Sequence, residues 1–212
     1  MGKTGEKGIW YLIKVWGIVW FFLIGQKTKI IGWDERYKKD FPVVCVANHQ
    51  SYLDTAMIFR ALPFMSSPLA KYDLAKLPLF GLMYRKMAIL IDRSSVKSRQ
   101  IGYKKLYKML EETNRSVLIF PEGTFDERSG NELLPFYDGA FRIAIETQRP
   151  ILPTLFLDTK DRFNDQEFWQ WTPGITRTLF LPLMWPPKSL SELEAYKNEV
   201  REKMKLALSA YK

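Results

Sequence analysis

The chain has few of the residues that support nucleophilic or metal-assisted chemistry. Its 212 residues include one histidine and one cysteine. A single cysteine excludes an internal disulfide, and one histidine with one cysteine cannot supply the usual ligands of a zinc site. The sequence also has no Gly-x-Ser-x-Gly motif, so no serine nucleophile is indicated. We therefore expect no metal, and we expect any catalysis to depend on the one histidine.

Acidic residues are in the minority. There are 23 Asp and Glu against 32 Lys and Arg, and the formal net charge is +9. This balance favours an anionic partner, such as nucleic acid, an anionic membrane surface, or an acidic or phosphorylated substrate. Nucleic acid fits least well, because the sequence has no zinc-finger spacing or RNA-binding signature and its aromatic residues stand in apolar runs. We expect an anionic membrane surface or substrate, and no nucleic acid.

The apolar run near the amino terminus is too short to span a bilayer comfortably. Residues 9–24 are apolar except Lys14 and Gly17, and as a helix they reach about 24 Å against a hydrocarbon core of about 30 Å. Their aromatic rings suit a membrane interface, where lysines including Lys14 would meet anionic head groups. Three interpretations are open: an interfacial anchor helix, a signal peptide without an Ala-x-Ala-like cleavage site, and a helix packed on the core. The first is favoured and predicts that residues 1–40 dock on the cytoplasmic face of a membrane.

The remainder of the chain, residues 41–212, alternates between strand and helix patterns. Residues 25–40, before it, are interpreted as a second short helix or a polar linker. Short apolar runs predict strands at residues 42–47, 65–71, 88–91, 116–120, 151–157 and 175–181. Helical patterns lie at residues 53–61, 74–83, 96–113 and 139–148, and from about residue 191. This alternation predicts an α/β domain with a mostly parallel sheet covered by helices on both faces.

The only histidine directly follows the first of these predicted strands. His49 therefore lies at the carboxyl end of a strand, which is where open α/β sheets bind ligands. A turn can bring Asp54 to one imidazole nitrogen, so that the carboxylate sets the tautomer and the other nitrogen acts as a base. The same residues allow another interpretation, in which Asn48 or Ser51 caps a helix, Asp54 lies in its first turn and His49 has no function.

Other predicted strands also end in polar residues. Arg93 follows one strand, residues 122–124 follow another, and Lys71 ends a third. Because carboxyl ends of parallel strands meet at one edge, these groups are expected to converge on one cleft. Arg93 can bind phosphate with its planar fork, Lys71 can add a point charge, and Gly123 lets a ligand approach the backbone closely. Alternatively, Arg93 forms a surface ion pair with Asp92 or Glu122, and Glu122 is a partner in that pair or an acid at a helix start.

Two sequence blocks together resemble the glycerolipid acyltransferase family. These are Asn48-His49-x-x-x-x-Asp54 and Phe120-Pro121-Glu122-Gly123-Thr124. The best-known members of this family acylate lysophosphatidic acid. The resemblance covers roughly residues 42 to 157. It also includes Lys71, Pro78, Gly81, Ile91-Asp92-Arg93, Gly139-Ala140 and Pro150-Ile151-Leu152-Pro153.

The resemblance implies acyl transfer from a thioester of coenzyme A or acyl carrier protein to the hydroxyl of a lysolipid. The expected acceptor is 1-acylglycerol-3-phosphate, and the expected product is phosphatidic acid. His49 would be the catalytic base and Asp54 its orienting group. The head group of the acceptor would be held by substrate-binding residues at the positions that match the family. These residues are Lys71, Arg93, Glu122, Gly123 and Thr124. No cofactor beyond the thioester substrate is implied.

The chain departs from the family pattern at two positions. Phe125 stands where the family usually has arginine, and Tyr137 stands where lysine is common. Both changes remove positive charge near the expected phosphate, for which Arg128 or Lys71 can compensate. Another lysolipid, such as a lyso-ornithine lipid, therefore competes as the acceptor. Two further functions stay open: a hydrolase that uses water as acceptor, and a membrane-binding domain without catalytic activity.

Overall fold

A single β-sheet between two layers of helices forms the body of the protein, which we describe from a computed structural model. The described residues are 3–76, 80–113, 115–124, 133–163 and 171–211. Pro78, Phe125 and Arg128, which bear on the family resemblance, lie outside these residues.

The sheet has seven strands within the described residues. They are β1 Gln26–Ile31, β2 Val44–Ala47, β3 Ser66–Lys71, β4 Ile89–Ile91, β5 Ser116–Ile119, β6 Ile151–Phe156 and β7 Gly174–Phe180. Their order is β1-β7-β6-β2-β5-β3-β4. All neighbouring pairs are parallel except β6 with β7. The prediction of a mostly parallel sheet is therefore confirmed.

Helices cover both faces of this sheet. They are α1 Lys3–Leu23, α2 Leu53–Ala61, α3 Phe80–Met87, α4 Val96–Glu112, α5 Gly139–Thr147, α6 Thr159–Arg162 and α7 Leu193–Ala210. Helices α4, α5 and α7 enclose one apolar core, and α1 and α2 enclose the other. Short 3₁₀ helices cover Glu35–Asp40, Tyr72–Lys76 and Leu190–Glu192.

Strand β2 lies near the centre of the sheet and leads into the predicted site. Its side chains alternate between the two cores, with Val44 and Val46 on one side and Cys45 and Ala47 on the other. This alternation follows from the two-residue period of a strand that is buried on both faces. Burial also raises the pKa of Cys45 to about 12, so the thiol stays neutral.

Helix α1 packs its inner face on the second core. Trp10, Ile13 and Phe21 are buried, and the Trp10 ring lies 5.5 Å from that of Phe59 on α2. Lys14 belongs to this inner face as well, because its Nζ donates to the Leu62 carbonyl at the end of α2, at 2.9 Å. Burial lowers the pKa of Lys14. The expectation that Lys14 meets anionic head groups is therefore wrong.

The outer face of α1 is apolar and exposed. Within the part of the chain that the structure describes, no helix is both long enough and apolar enough to cross a membrane. The large side chains on this outer face are Tyr11, Leu12, Val15, Trp16, Ile18, Val19, Phe22 and Leu23.

Strand β1 replaces the helix or linker expected immediately after α1. It pairs in parallel with β7, and buried Gln26 bonds to the Thr172 carbonyl and the Thr176 hydroxyl. Gly32 ends the strand with a positive φ of 73°, and a Cβ there would lie 2.3 Å from the Phe180 carbonyl oxygen. Residues 26–31, part of the predicted docking segment, thus belong to the sheet of the α/β domain. Only the 3₁₀ helix Glu35–Asp40 matches the expected short helix.

Candidate active site

His49 and Asp54 form a hydrogen-bonded pair at the carboxyl end of β2. His49 Nδ1 lies 2.9 Å from Asp54 Oδ2, and Asp54 is fully buried. The same carboxylate oxygen accepts the backbone N–H groups of Gln50 at 2.6 Å and Ser51 at 2.9 Å. An ionised Asp54 therefore holds the turn closed and keeps the imidazole proton on Nδ1. That tautomer makes Nε2 the basic nitrogen.

The residues beside His49 attach this turn to the neighbouring chain. Asn48 is fully buried and bonds to both backbone groups of Phe156 on β6, at 2.7 and 3.0 Å, much as a strand neighbour would. The Ser51 hydroxyl donates to the Phe163 carbonyl and accepts the Leu53 N–H. Sequence reasoning placed Asn48 in the family block at the strand end and otherwise considered Asn48 and Ser51 as helix caps. It missed the tertiary partners because they lie more than a hundred residues along the chain.

An aromatic ring supports the imidazole from the end of β5. Phe120 stacks on His49 with centroids 4.1 Å apart and planes 16° apart. Phe120 also contributes to the wall of a neighbouring cavity. The phenylalanine was part of the family resemblance, but nothing in the local sequence indicated that it touches the histidine. The stacked ring limits rotation of the imidazole and keeps bulk water from one of its faces.

Glu122 reaches the same turn from the segment that follows β5. Its Oε1 accepts the backbone N–H of His49 at 2.8 Å, and its Oε2 accepts that of Leu134 at 2.8 Å. The residue is only 4% exposed. Burial raises the pKa of Glu122 to about 7, partly offset by these two hydrogen bonds and by the charge of His49.

A cavity of about 560 Å³ opens beside Phe120, where α4 and α5 approach the sheet edge. The residues at its mouth are exposed and include Arg93, Arg99 and Tyr137. The wall deeper in the fold is aliphatic and buried, and includes Leu106 and Ile119. The cavity thus combines a cationic mouth with an apolar interior. The full lining is Leu69, Ile91, Arg93, Arg99, Tyr103, Leu106, Ile119, Phe120, Pro121, Gly123, Thr124, Tyr137, Gly139 and Ala140.

Gly123 permits the close packing at this mouth. Its φ is +71°, and a Cβ there would lie 2.7 Å from the ring of Tyr137. The Tyr137 N–H donates to the Pro121 carbonyl at 2.8 Å, which holds the ring over the glycine. A side chain at position 123 would meet both an unfavourable backbone angle and the ring.

The structure brings most of the predicted site residues together but not all of them. His49, Asp54 and Glu122 meet at the turn, whereas Arg93, Gly123 and Thr124 line the cavity. Strands β2, β4 and β5 run in parallel, as the expected convergence requires.

Lys71 lies apart from these groups. It is exposed at the end of β3, pairs with Asp73 at 3.0 Å, and does not contribute to the cavity lining. The second interpretation of Arg93 was an ion pair with a carboxylate. Asp92 instead accepts from Ser94, and Glu122 accepts from the backbone, so among the described residues neither of them pairs with Arg93. No group of three or more potential metal ligands was found in the described ranges.

Comparison with known proteins agrees with this geometry. A family model described as Acyltransferase matches residues 30–156. The chain therefore belongs to the acyltransferase family, and the resemblance noted from the two sequence blocks is confirmed.

Its curated relatives include several 1-acyl-sn-glycerol-3-phosphate acyltransferases. The chain is 33% identical over 154 residues to that of Saccharomyces cerevisiae, covering 71% of this chain and 49% of the relative. It is 32% identical over 146 residues to a putative one of Caenorhabditis elegans, covering 68% of this chain and 51% of the relative. The chain thus spans about half the length of these relatives.

A solved structure has the same fold. The crystal structure of the 1-acyl-sn-glycerophosphate (LPA) acyltransferase PlsC from Thermotoga maritima matches with a TM-score of 0.76 and 23% identity. The match covers 98% of this chain and 83% of that one. At this identity the likeness shows the architecture alone.

Proposed function

We propose that the protein transfers an acyl chain from a thioester to the hydroxyl of 1-acylglycerol-3-phosphate, which gives phosphatidic acid. The observation that carries this proposal is the His49–Asp54 pair at 2.9 Å beside a cavity with a cationic mouth. The names of the Saccharomyces cerevisiae and Caenorhabditis elegans relatives give 1-acyl-sn-glycerol-3-phosphate as their acceptor, which supports the same assignment here.

The reaction proceeds by direct attack in this proposal. His49 Nε2 takes the proton of the lysolipid hydroxyl, and Asp54 stabilises the imidazolium. The alkoxide oxygen attacks the thioester carbonyl and forms a tetrahedral oxyanion. The C–S bond then breaks, and the imidazolium returns its proton to the leaving thiolate. No acyl-enzyme is required, and Cys45 is unsuited to form one because its thiol is buried and neutral.

The cavity supports an amphiphilic acceptor. Arg93 and Arg99 at its mouth suit a phosphate, since guanidinium groups bind phosphate oxygens in a bidentate manner. Buried aliphatic side chains such as Leu106 and Ile119 suit the acyl chain that the acceptor already carries. The donor thioester is acyl-CoA or acyl carrier protein.

An acceptor panel tests this assignment. Purified protein receives acyl-CoA or acyl carrier protein thioester with 1-acylglycerol-3-phosphate, lyso-ornithine lipid or no lysolipid, and thiol release and product mass are measured. Thiol release that requires 1-acylglycerol-3-phosphate, with phosphatidic acid as product, supports the proposal. Transfer confined to lyso-ornithine lipid, which Tyr137 in place of lysine would allow, supports that lipid as the acceptor. Release without any lysolipid indicates hydrolysis, and no release indicates a domain without catalytic activity.

We also propose that α1 docks the protein on the cytoplasmic face of an anionic membrane. Its outer face is apolar and exposed, and it includes Leu12 at 69% and Phe22 at 80% exposure. Such a face suits the boundary between head groups and acyl chains. Flotation with phosphatidylglycerol vesicles tests this: Leu12→Asp with Phe22→Asp should lose binding. Leu206→Asp, at an equally exposed position on α7, is the matched control and should still bind.

A further inference from the structure

We propose that Glu122 is a positioning residue that holds His49 in place, and that it does not bind the head group of the acceptor. This inference rests on the proposed function for its kinetic consequences, but its structural part concerns only His49 and can be tested without turnover.

The carboxylate of Glu122 is not accessible to a ligand. Glu122 is 4% exposed, and each of its oxygens already accepts a backbone N–H at 2.8 Å. Its neighbours Pro121, Gly123 and Thr124 line the cavity, whereas Glu122 does not. An anionic carboxylate would in addition repel a phosphate.

The two carboxylates hold His49 at two separate points. Asp54 from α2 fixes the imidazole at Nδ1, and Glu122 from the segment after β5 fixes the backbone N–H of the same residue. With Phe120 stacked on the ring, the imidazole is constrained from three directions. Because a displacement of about 1 Å can cost about 10²-fold in rate, loss of the backbone anchor should lower turnover.

The second oxygen of Glu122 connects the histidine to the mouth of the cavity. Leu134 donates to Glu122, and Leu133 and Leu134 accept hydrogen bonds from Arg201 on α7. The segment that contains Leu133 and Leu134 continues to Tyr137, whose ring lies over Gly123. Glu122 therefore sets the position of the base relative to the place where the acceptor would enter.

A glutamine cannot replace this carboxylate, although it has the same shape. Both partners of Glu122 are N–H donors, and an amide has only one oxygen to accept them. Its NH₂ group would face the other N–H and leave that donor unsatisfied. The comparison has to be made at pH 8, where the carboxylate is ionised because burial raises its pKa only to about 7. The titratable groups that face it are His49 and Asp54.

The kinetic test compares Glu122→Gln with Glu199→Gln at pH 8. Glu199 is an exposed residue of α7 that pairs with Lys203, so its variant should behave as wild type. We expect Glu122→Gln to lower kcat by about 10²-fold and to leave KM for the lysolipid within about twofold. A rise in KM that exceeds the fall in kcat would overturn the proposal, because it would place Glu122 in acceptor binding.

The structural test uses the fact that the chain has one histidine. In protein with ¹³C-labelled histidine and no affinity tag, the imidazole C–H signals belong to His49 alone. Without any substrate, Glu122→Gln should shift these signals at pH 8. Signals identical to wild type would overturn the proposal even if the wild-type protein proved to have no transferase activity. Should Glu122→Gln not fold, Glu122→Asp, which keeps the charge but is too short to reach both N–H groups, takes its place with the same expectations.

Discussion

The turn at His49 and the mouth of the neighbouring cavity differ in how firmly their polar groups are held. At the turn, Asp54 and Glu122 are almost completely buried and together accept five hydrogen bonds. At the mouth, Arg93 and Tyr137 are exposed. The turn is therefore built to preserve one geometry, and the mouth can adapt to the molecule that enters it.

Desolvation accounts for this difference. Burying a carboxylate without hydrogen-bond partners costs much free energy. A substitution at the turn therefore disturbs every group that is bonded to the carboxylates there. An exposed guanidinium is hydrated and can be replaced at small cost to the fold. In an acyltransferase of this design, changes at the turn should affect kcat and changes at the mouth should affect KM. Four substitutions test that division.

The largest effect is expected for His49→Ala. Removal of the base should lower kcat by on the order of 10⁴-fold, the upper end for general-base catalysis, because the chain has no second histidine to replace it. KM for the lysolipid should change little. Initial rates over a range of lysolipid concentrations separate the two constants. Near-wild-type transfer by this variant would remove His49 from the mechanism.

A smaller loss at the turn is expected for Asp54→Asn. The amide oxygen can retain the bonds from the Gln50 and Ser51 N–H groups and from His49 Nδ1, but the neutral amide no longer stabilises the imidazolium by its charge. We expect kcat to fall by about 10²–10³-fold with the fold intact. Steady-state kinetics with a circular dichroism melt measures both. A loss confined to KM would contradict the orienting role.

At the mouth, Arg93→Ala should act on binding. Loss of one charge-assisted hydrogen bond to the phosphate of the acceptor costs about 1.5 kcal/mol, which is about tenfold in KM. Arg93→Lys is the matched control, since it keeps the charge and loses the planar fork, and its KM should fall between those of wild type and Arg93→Ala. A fall in kcat equal to that of Asp54→Asn would break the distinction between turn and mouth.

The smallest effect is expected for Tyr137→Lys, which returns a positive charge to the mouth. An exposed ion pair contributes up to about 1 kcal/mol, so KM for 1-acylglycerol-3-phosphate should fall no more than about fivefold. The gain should disappear at high salt because exposed charges are screened over about 10 Å or less. Assays at low and high salt provide the measurement. An unchanged KM at low salt would show that Tyr137 does not lie near the head group.

Local sequence patterns were sufficient for the elements whose burial is regular. Three features could be predicted: the β-branched run of β2, the apolar stripe of α4 and the mostly parallel direction of the strands. They were predictable because strand–helix alternation and helical periodicity reflect which side of each element faces a core. The pairing of His49 with Asp54 was predictable for a related reason, since both residues lie in one short turn.

The residues that were misinterpreted depend on distant partners. Lys14 looked like a membrane contact, but it bonds to the end of α2, and β1 looked like a linker because its partner β7 lies near the other end of the chain. A polar residue in an apolar run is ambiguous until its neighbours in space are known. Gln26 illustrates this, because its polar side chain is satisfied in the interior only by Thr172 and Thr176.

The amino-acid sequence by itself indicated the family, through its resemblance at two separate blocks. It also predicted the mostly parallel α/β architecture from periodicity and the histidine–carboxylate pair from residues close along the chain. Tertiary structure alone decided that Glu122 faces the backbone of His49, that Lys71 lies away from the cavity, and that the apolar outer face of α1 is exposed in the part of the chain that the structure describes. These outcomes depend on which distant segments meet, and contacts of that kind follow from the packing of the whole sheet and its helices.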